Sequence, residues 1–479
     1  MGKHKKNRAV NIFLVLGMTA ALMTGCNENN EESAEVIEPM ETEEVYATSF
    51  DIIGGNDVMP IAAYYGPYAS NYNVDGQSLP DYITEEYWAD MAACGINVMC
   101  HSITDYSSAP LEVEKNLDFG EKYKIAVVVD DSKVVKMAGQ ENISMEELTT
   151  QLSKYMNHPA FGGIYLIDEP VTSYYMPSDS VTRNLERYKT LAPLLNQEIG
   201  IFTYSNALSS AISEKWITWF EQYLREYCDT LTPRFLSYDR YPFDKIQEGY
   251  MDRYFYDLSI VRRVADDYGI PFWTFIQAGS QWNDSQNYFD TEGYYPDEGE
   301  FDWNINTCLA FGSKGISYFP YIQPYYFAYA KSTDFDFERN GMIGAWGNKN
   351  RWYYYAQNIS KHIQAIDEVL MNSVSKGVIA SGEQAVKDTS MAEDVMLEGT
   401  SWRELATVEG DAVIGCFNYQ GHTALYVVNY SQEYAQKVNL IFKNTVNITM
   451  IQNAESSRLK GKDMILDLAA GEGVLLVLE

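Results

Sequence analysis

Histidine is scarce in this 479-residue sequence, at five, and cysteine is little commoner, at six. Cys26, Cys94, Cys100, Cys228, Cys308 and Cys416 include no CxxC pair. If Cys26 is used elsewhere, an odd number remains, which excludes a disulfide framework and suggests buried apolar thiols. No His/Cys/Asp cluster has metal-ligand spacing, so no structural or catalytic metal is expected, and no cofactor is implied. Basic residues are also few: 35 Lys and Arg stand against 67 Asp and Glu, for a net charge of −32. A surface of that sign repels phosphate backbones and excludes nucleic acid as a partner. Beyond the first 25 or so residues, no apolar run is long enough to span a bilayer.

The few early cations are placed together. Lys3, Lys5, Lys6 and Arg8 precede a short apolar stretch, Ala9 to Leu22, and then Leu22-Met23-Thr24-Gly25-Cys26. That order resembles a bacterial lipoprotein signal. The resemblance implies lipidation at Cys26 and a chain held by its anchor at a membrane or cell surface, outside the cytoplasm. Residues 1–26 are then the signal. Residues 27–56, acidic and poor in core formers, are expected to be a solvated tether.

Aromatic residues are abundant: 38 Tyr and 9 Trp. Rings with polar edges suit half-wet surfaces such as sugar-binding sites, although ordinary core filling accounts for most of them.

From Met59 on, short apolar runs alternate with longer amphipathic stretches. The runs are Met59–Tyr65, Ile96–His101, Ile125–Asp130, Gly162–Ile167, Ile199–Tyr204, Phe235–Tyr238, Phe272–Gln277 and Ile316–Tyr321. Helix patterns fall at Ile83–Cys94, Ser144–Met156, Ser180–Leu195, Glu214–Cys228, Tyr250–Tyr268, Trp303–Phe311 and Trp352–Leu370. Thr84 and Ser144, each followed by acids, carry N-capping signatures. Alternation of this kind predicts an α/β fold, a (β/α)8 TIM barrel over residues 57–371. After Asn372 the runs become short and the turns polar, which predicts an all-β sandwich over residues 372–479.

A barrel keeps its chemistry at the carboxyl ends of its strands. There the fourth run ends Ile167-Asp168-Glu169-Pro170 and the sixth ends Tyr238-Asp239-Arg240-Tyr241. The third ends at Asp130, the second at His101, the seventh at Gln277 and the eighth at Tyr321. Expected substrate-binding residues are Tyr64, Tyr65, His101, Asp130, Tyr204, Tyr241, Trp273, Gln277, Trp282 and Tyr321. Further aromatics near the same rim are Tyr68, Tyr318 and Tyr325.

Asp168-Glu169-Pro170 at the end of strand four resembles the general-acid motif of clan A retaining glycoside hydrolases, where Asn-Glu-Pro is usual. The resemblance implies a glycosidase acting on extracellular oligo- or polysaccharide, with Glu169 as general acid/base. Burial behind an apolar strand suits a proton donor. The sequence departs from that family at strand seven, where an amide, Gln277, stands in place of the nucleophilic glutamate. Three readings stay open. Asp239 serves as nucleophile or base. Asp168 and Glu169 act together, similar to hexosaminidases that use the substrate's own acetamido group. Or the site only binds sugar, as in an inactive surface lipoprotein or a sugar solute-binding protein.

Overall fold

The computed structural model describes residues 44–479 apart from 49, 71–72, 75–76, 177–182, 211–213, 244–249, 280–293 and 325–339. Cys26, Trp282 and Tyr325 lie outside the described residues. No helix among the described residues is long and apolar enough to cross a membrane.

Eight parallel strands form the first sheet: β1 Ile61–Tyr64, β2 Val98–His101, β3 Ala126–Asp130, β4 Phe161–Asp168, β5 Thr203–Asn206, β6 Leu236–Tyr238, β7 Phe272–Gln277 and β8 Ile316–Phe319. Their order is β5-β4-β3-β2-β1-β8-β7-β6. The circle closes at a single parallel bridge, Ala207 to Tyr238, with the Ala207 N–H donating to Ser237 O at 2.8 Å. Helices α1 Glu85–Ala93, α2 Pro110–Tyr123, α3 Met145–Leu152, α4 Glu214–Leu231, α5 Tyr250–Tyr268, α6 Glu298–Ala310 and α7 Arg351–Met371 link the strands.

Strand alternation assigns each residue a side. Ala62, Tyr64, Ala126, Val128, Tyr204 and Phe275 turn into the barrel, while Ile61, Ala63, Val127 and Val129 turn to the helices. At one end the interior is plugged by aromatics: Phe202 and Phe235 stack at 5.1 Å and Trp273 lies 4.2 Å from Phe235. Phe50 packs on this plug, 5.0 Å from Phe202 and 6.3 Å from Trp273. That contact corrects the tether boundary, since residues 44–56 include part of the folded body. The sequence signal there is apolar, Val45, Tyr46, Phe50, Ile52 and Ile53 against two acids, Glu44 and Asp51.

Other elements also differ from expectation. α2 is an addition, with Pro110 at its first turn, where a missing N–H costs nothing. The described part of 180–195 is no regular helix. It has a 3-10 turn, Leu185–Tyr188, and then Leu191–Pro193 running into a π turn, Leu194–Ile199. Pro193 supplies no N–H to a regular ladder. Ser144 caps α3 by accepting from Glu147 N at 3.3 Å, whereas Thr84 makes no side-chain cap bond. α6 begins earlier than Trp303, at a capping box of Asp297 and Glu300.

The remainder is an antiparallel sheet: β9 Ser373–Ser381, β10 Leu405–Glu409, β11 Ala412–Tyr419, β12 His422–Asn429, β13 Gln436–Gln452, β14 Glu455–Leu468 and β15 Gly473–Leu478. The apolar runs Gln436–Leu440 and Ile448–Ile451 belong to one long strand, β13, whose register with β14 shifts between Ile441 and Val446. The sheet folds around its own core in sandwich fashion. Leu425 and Val427 of β12 face that core, and Ala424, Tyr426 and Val428 face the barrel helices. The Tyr426 hydroxyl donates to Asn306 Oδ1 of α6 at 2.6 Å. No two-lobed solute-binding architecture is present among the described residues. Cys94, Cys100, Cys228, Cys308 and Cys416 are all buried and unpaired.

Candidate active site

A break in alternation builds the site. Tyr165 of β4 pairs with Tyr204 and turns inward, so regular pleating sends Asp168 outward to the helices. The register instead shifts between Tyr165 and Ile167. Ile167 now pairs with Ser205, whose hydroxyl bonds Tyr227 of α4 at 2.6 Å on the outer side. Asp168 is thereby turned inward, toward the Tyr64 phenol. Glu169 follows with φ 45°, in the left-handed region, its N–H donating to Asn206 O at 2.9 Å.

Asp239, just after β6, lies close enough to Glu169 to feel its charge and accepts from Asn206 Nδ2 at 3.1 Å. Ser237 Oγ donates to the same amide's oxygen at 3.0 Å and so fixes its orientation. Three carboxyls thus meet beside the seam that closes the barrel. Arg183 stands against them, its Nη1 2.6 Å from Glu169 Oε2. Burial first, then the Glu169 charge, pushes the Asp168 carboxyl up to about 7. Burial, then Glu169 and Asp168, holds Asp239 well above the usual carboxylate range, against the lowering effect of Asn206. Both shifts disfavour the charged forms of Asp168 and Asp239.

Aromatics wall this cluster. Tyr64 and Tyr165 share a hydroxyl hydrogen bond of 2.7 Å. His101 stacks on Tyr165 with ring centres 4.1 Å apart, and its Nδ1 lies 2.6 Å from Asp130 Oδ1. Tyr65 lies 5.4 Å from His101 and 5.7 Å from Phe319, and Tyr241 lies 5.6 Å from Phe319. Burial first, then Asp239, raises the Tyr241 phenol, which locates its ring against the acids. His101, Asp130, Tyr165, Asp168, Glu169, Asp239, Tyr241 and Phe319 keep partial exposure while their neighbours are closed off.

Several expected ligands are elsewhere. Trp273 is fully buried in the aromatic plug, far below the rim. Tyr204 is also fully buried, one layer beneath Tyr165, and stacks on it at 5.9 Å. Tyr321 is buried on the outer side, where Cys94, Tyr353 and Asp90 surround its phenol. Tyr318 stacks on Phe301 of α6 and Tyr68 packs on Tyr82. Gln277 points to no ligand. Its Oε1 accepts from Phe243 N, and its Nε2 donates to Phe243 O and Gly279 O, each at 3.2 Å. The amide is consumed in pinning the chain after β6, and it is fully buried.

Asn206, Tyr165, Arg183 and Phe319 join the cluster without having been expected. Asn206 ends β5 two residues beyond the last apolar one, so strand ends judged by hydrophobicity stop short of it. Arg183 comes from a loop and carries no local signal. Among the described residues no group of three His, Cys, Asp or Glu side chains is arranged to hold a metal ion.

No protein-family model matches the chain, and no curated protein does. Among solved structures it is similar to a maltogenic α-amylase from Thermotoga neapolitana, at 11% identity and TM-score 0.44, over 88% of this chain and 99% of that one. An α-amylase from Geobacillus thermoleovorans gives 10% and 0.44 over 88% and 99%. A β-L-arabinopyranosidase from Geobacillus stearothermophilus gives 10% and 0.44 over 90% and 98%.

Proposed function

We propose that this chain is a glycoside hydrolase that cleaves oligo- or polysaccharide outside the cytoplasm, tethered through lipid at Cys26. The observation that carries the proposal is the meeting of Asp168, Glu169 and Asp239 inside an aromatic-walled rim, with Arg183 set against Glu169. Glycosidic cleavage needs one carboxylic acid to protonate the leaving oxygen and one carboxylate to meet the positive charge growing at the anomeric carbon.

Arg183 distributes the roles. Its guanidinium pairs with Glu169, so Glu169 is the charged member. Asp239 keeps the proton. In this scheme the Asp239 carboxyl protonates the departing oxygen while the Glu169 carboxylate bonds the anomeric carbon. Asp239, now ionised, then takes a proton from water, which displaces Glu169 and restores both groups. This exchanges the roles the clan A resemblance implies, in which Glu169 is the acid. Tyr241 and Tyr65 offer rings for the sugar face, and His101 and Asp130 offer hydroxyl partners.

The test is hydrolysis of a panel of aryl glycosides, N-acetylhexosaminides included, by wild type, Glu169→Gln and Asp239→Asn. Cleavage lost in both variants supports the pair. A wild type that binds sugars and cuts none of the panel, nor any polysaccharide, makes this a binding protein. Cleavage confined to N-acetylhexosaminides and surviving in Asp239→Asn moves the second role to the substrate, with Asp168 orienting it.

A further inference from the structure

The turn Asp168-Glu169-Pro170 holds an unfavourable backbone. Glu169 has φ 45°, a left-handed conformation that residues with a Cβ resist. Such a residue persists where its surroundings over-determine it. On one side, the Glu169 N–H is spent on Asn206 O at 2.9 Å, which ties the turn to the end of β5. On the other side, Tyr223 of α4 donates its hydroxyl proton to Pro170 O at 2.7 Å. The same hydroxyl oxygen accepts from Leu208 N at 3.2 Å, two residues beyond Asn206. One hydroxyl thus joins the turn after β4 to the loop after β5.

This junction reaches both members of the ion pair. The peptide between Pro170 and Val171 is pinned at its carbonyl by Tyr223 and at its N–H by Arg183 O, 2.7 Å away. A peptide unit is planar, so the backbone that carries Glu169 and the backbone that carries Arg183 are fixed through one rigid plate. On the β5 side, Leu208 lies two residues after Asn206, whose amide donates to Asp239. The Tyr223 hydroxyl therefore stands where the segments presenting Glu169, Arg183 and Asp239 meet.

Tyr223 is fully buried and stacks on Tyr175, with ring centres 4.4 Å apart and planes 8° from parallel. Burial holds its phenol well above the ordinary range, so the hydroxyl stays a donor. A core tyrosine needs one partner for its hydroxyl. This one has two, from different strand ends, and one of them adjoins the strained glutamate. Tyr175 is its matched neighbour, equally buried, with a hydroxyl that donates to Ser209 O at 2.7 Å, outside the Glu169 turn. We infer that Tyr223 is a positioning residue for the carboxyl cluster, holding Glu169 in its left-handed turn and against Arg183 by way of Pro170 O. The inference rests on the glycosidase reading of that cluster.

The test is steady-state kinetics of the full-length protein on the aryl glycoside that wild type cleaves best, with Tyr223→Phe and Tyr175→Phe side by side. Each variant keeps the ring stack and takes a donor from a buried carbonyl, so the two should lose similar thermal stability. In Tyr223→Phe, kcat should fall about 10²-fold with KM within about threefold, as when a reacting group is misplaced. In Tyr175→Phe, kcat should stay within about twofold. In a Glu169→Gln background, Tyr223→Phe should cost less than about threefold, because the group it positions is already gone. If Tyr223→Phe does not fold, 4-aminophenylalanine at position 223, whose amine still donates to Pro170 O, replaces it. That variant should keep kcat within about threefold, and a loss of about 10²-fold there overturns the inference. Unchanged kcat in Tyr223→Phe, an equal fall in Tyr175→Phe, or an undiminished cost in the Glu169→Gln background also overturns it. A wild type that cuts no glycoside removes the glycosidase reading instead, and the crystal structure of Tyr223→Phe then decides. Glu169 turned out of its left-handed conformation and away from Arg183 sustains the positioning role, and Glu169 left in place overturns it.

Discussion

Exchanging the expected roles of Glu169 and Asp239 has a kinetic signature that depends on the leaving group. An acid that protonates the departing oxygen matters in proportion to how badly that oxygen needs a proton. A general acid contributes about 10²–10⁴ in rate, or ~3–5 kcal/mol at 1.36 kcal/mol per decade. Asp239→Asn should show that full loss on natural saccharides and on alkyl glycosides. On a dinitrophenyl glycoside, whose phenolate leaves unaided, the loss in the first chemical step should shrink to within about tenfold. Folding should survive, because burial and the neighbouring acids already disfavour the charged form of Asp239, and an amide keeps the shape and still accepts from Asn206 Nδ2. Glu169→Gln removes the carboxylate that faces Arg183 and should lose about 10³-fold or more on both kinds of substrate, because charge stabilisation at the anomeric carbon is needed whatever leaves. The assay is kcat/KM for each variant across a series of aryl glycosides of graded phenol acidity. A steep dependence on leaving group in Glu169→Gln together with a flat one in Asp239→Asn would refute the assignment and return Glu169 to the acid role.

Three further outcomes follow from the same geometry. The folded Asp168 carboxyl is raised to about 7 from an ordinary 3.8, so the fold holds more protons than the unfolded chain between those values. Its contribution to stability is full below about pH 4 and is lost as pH rises toward 7, so urea unfolding of Asp168→Asn should lack that downward slope. Lys314 has the opposite sign: burial lowers it from 10.5 to about 7, so stability should rise with pH between those values, and Lys314→Met should abolish the rise. The same variant orphans the carbonyls of Leu370, Met371 and Ser373 and should lose at least ~2 kcal/mol in chemical denaturation. Gly315→Ala would drive a methyl to 2.6 Å from the Trp273 indole, which is walled in on every side, and should lower stability by ~1–3 kcal/mol at an unchanged m-value.

The barrel was legible because its strands are buried on both faces and so read as unbroken apolar runs. Asp168, Glu169 and Asp239 were legible because they directly follow such runs. What composition cannot convey is direction. Trp273, Tyr318 and Tyr321 sit in the same runs as true rim residues, but pleating turns them toward the plug or the helices. The shift between Tyr165 and Ile167 decides which side Asp168 takes, and no residue type announces it. Gln277 occupies the position the family resemblance assigns to a nucleophile, yet its amide is spent on backbone. Arg183 and Asn206 reach the cluster from a loop and from a polar strand end, where hydrophobic patterning is silent.

Glu169 stands at φ 45°, a conformation that disfavours any L side chain with a Cβ by ~1–2 kcal/mol and that glycine adopts freely. Selection for robustness alone would put glycine or asparagine there. Substitution at this position thus has a downhill direction, toward a firmer fold. On the proposed function, a glycine at this position would firm the barrel and silence the chemistry together, so stability and activity should part company in a single substitution.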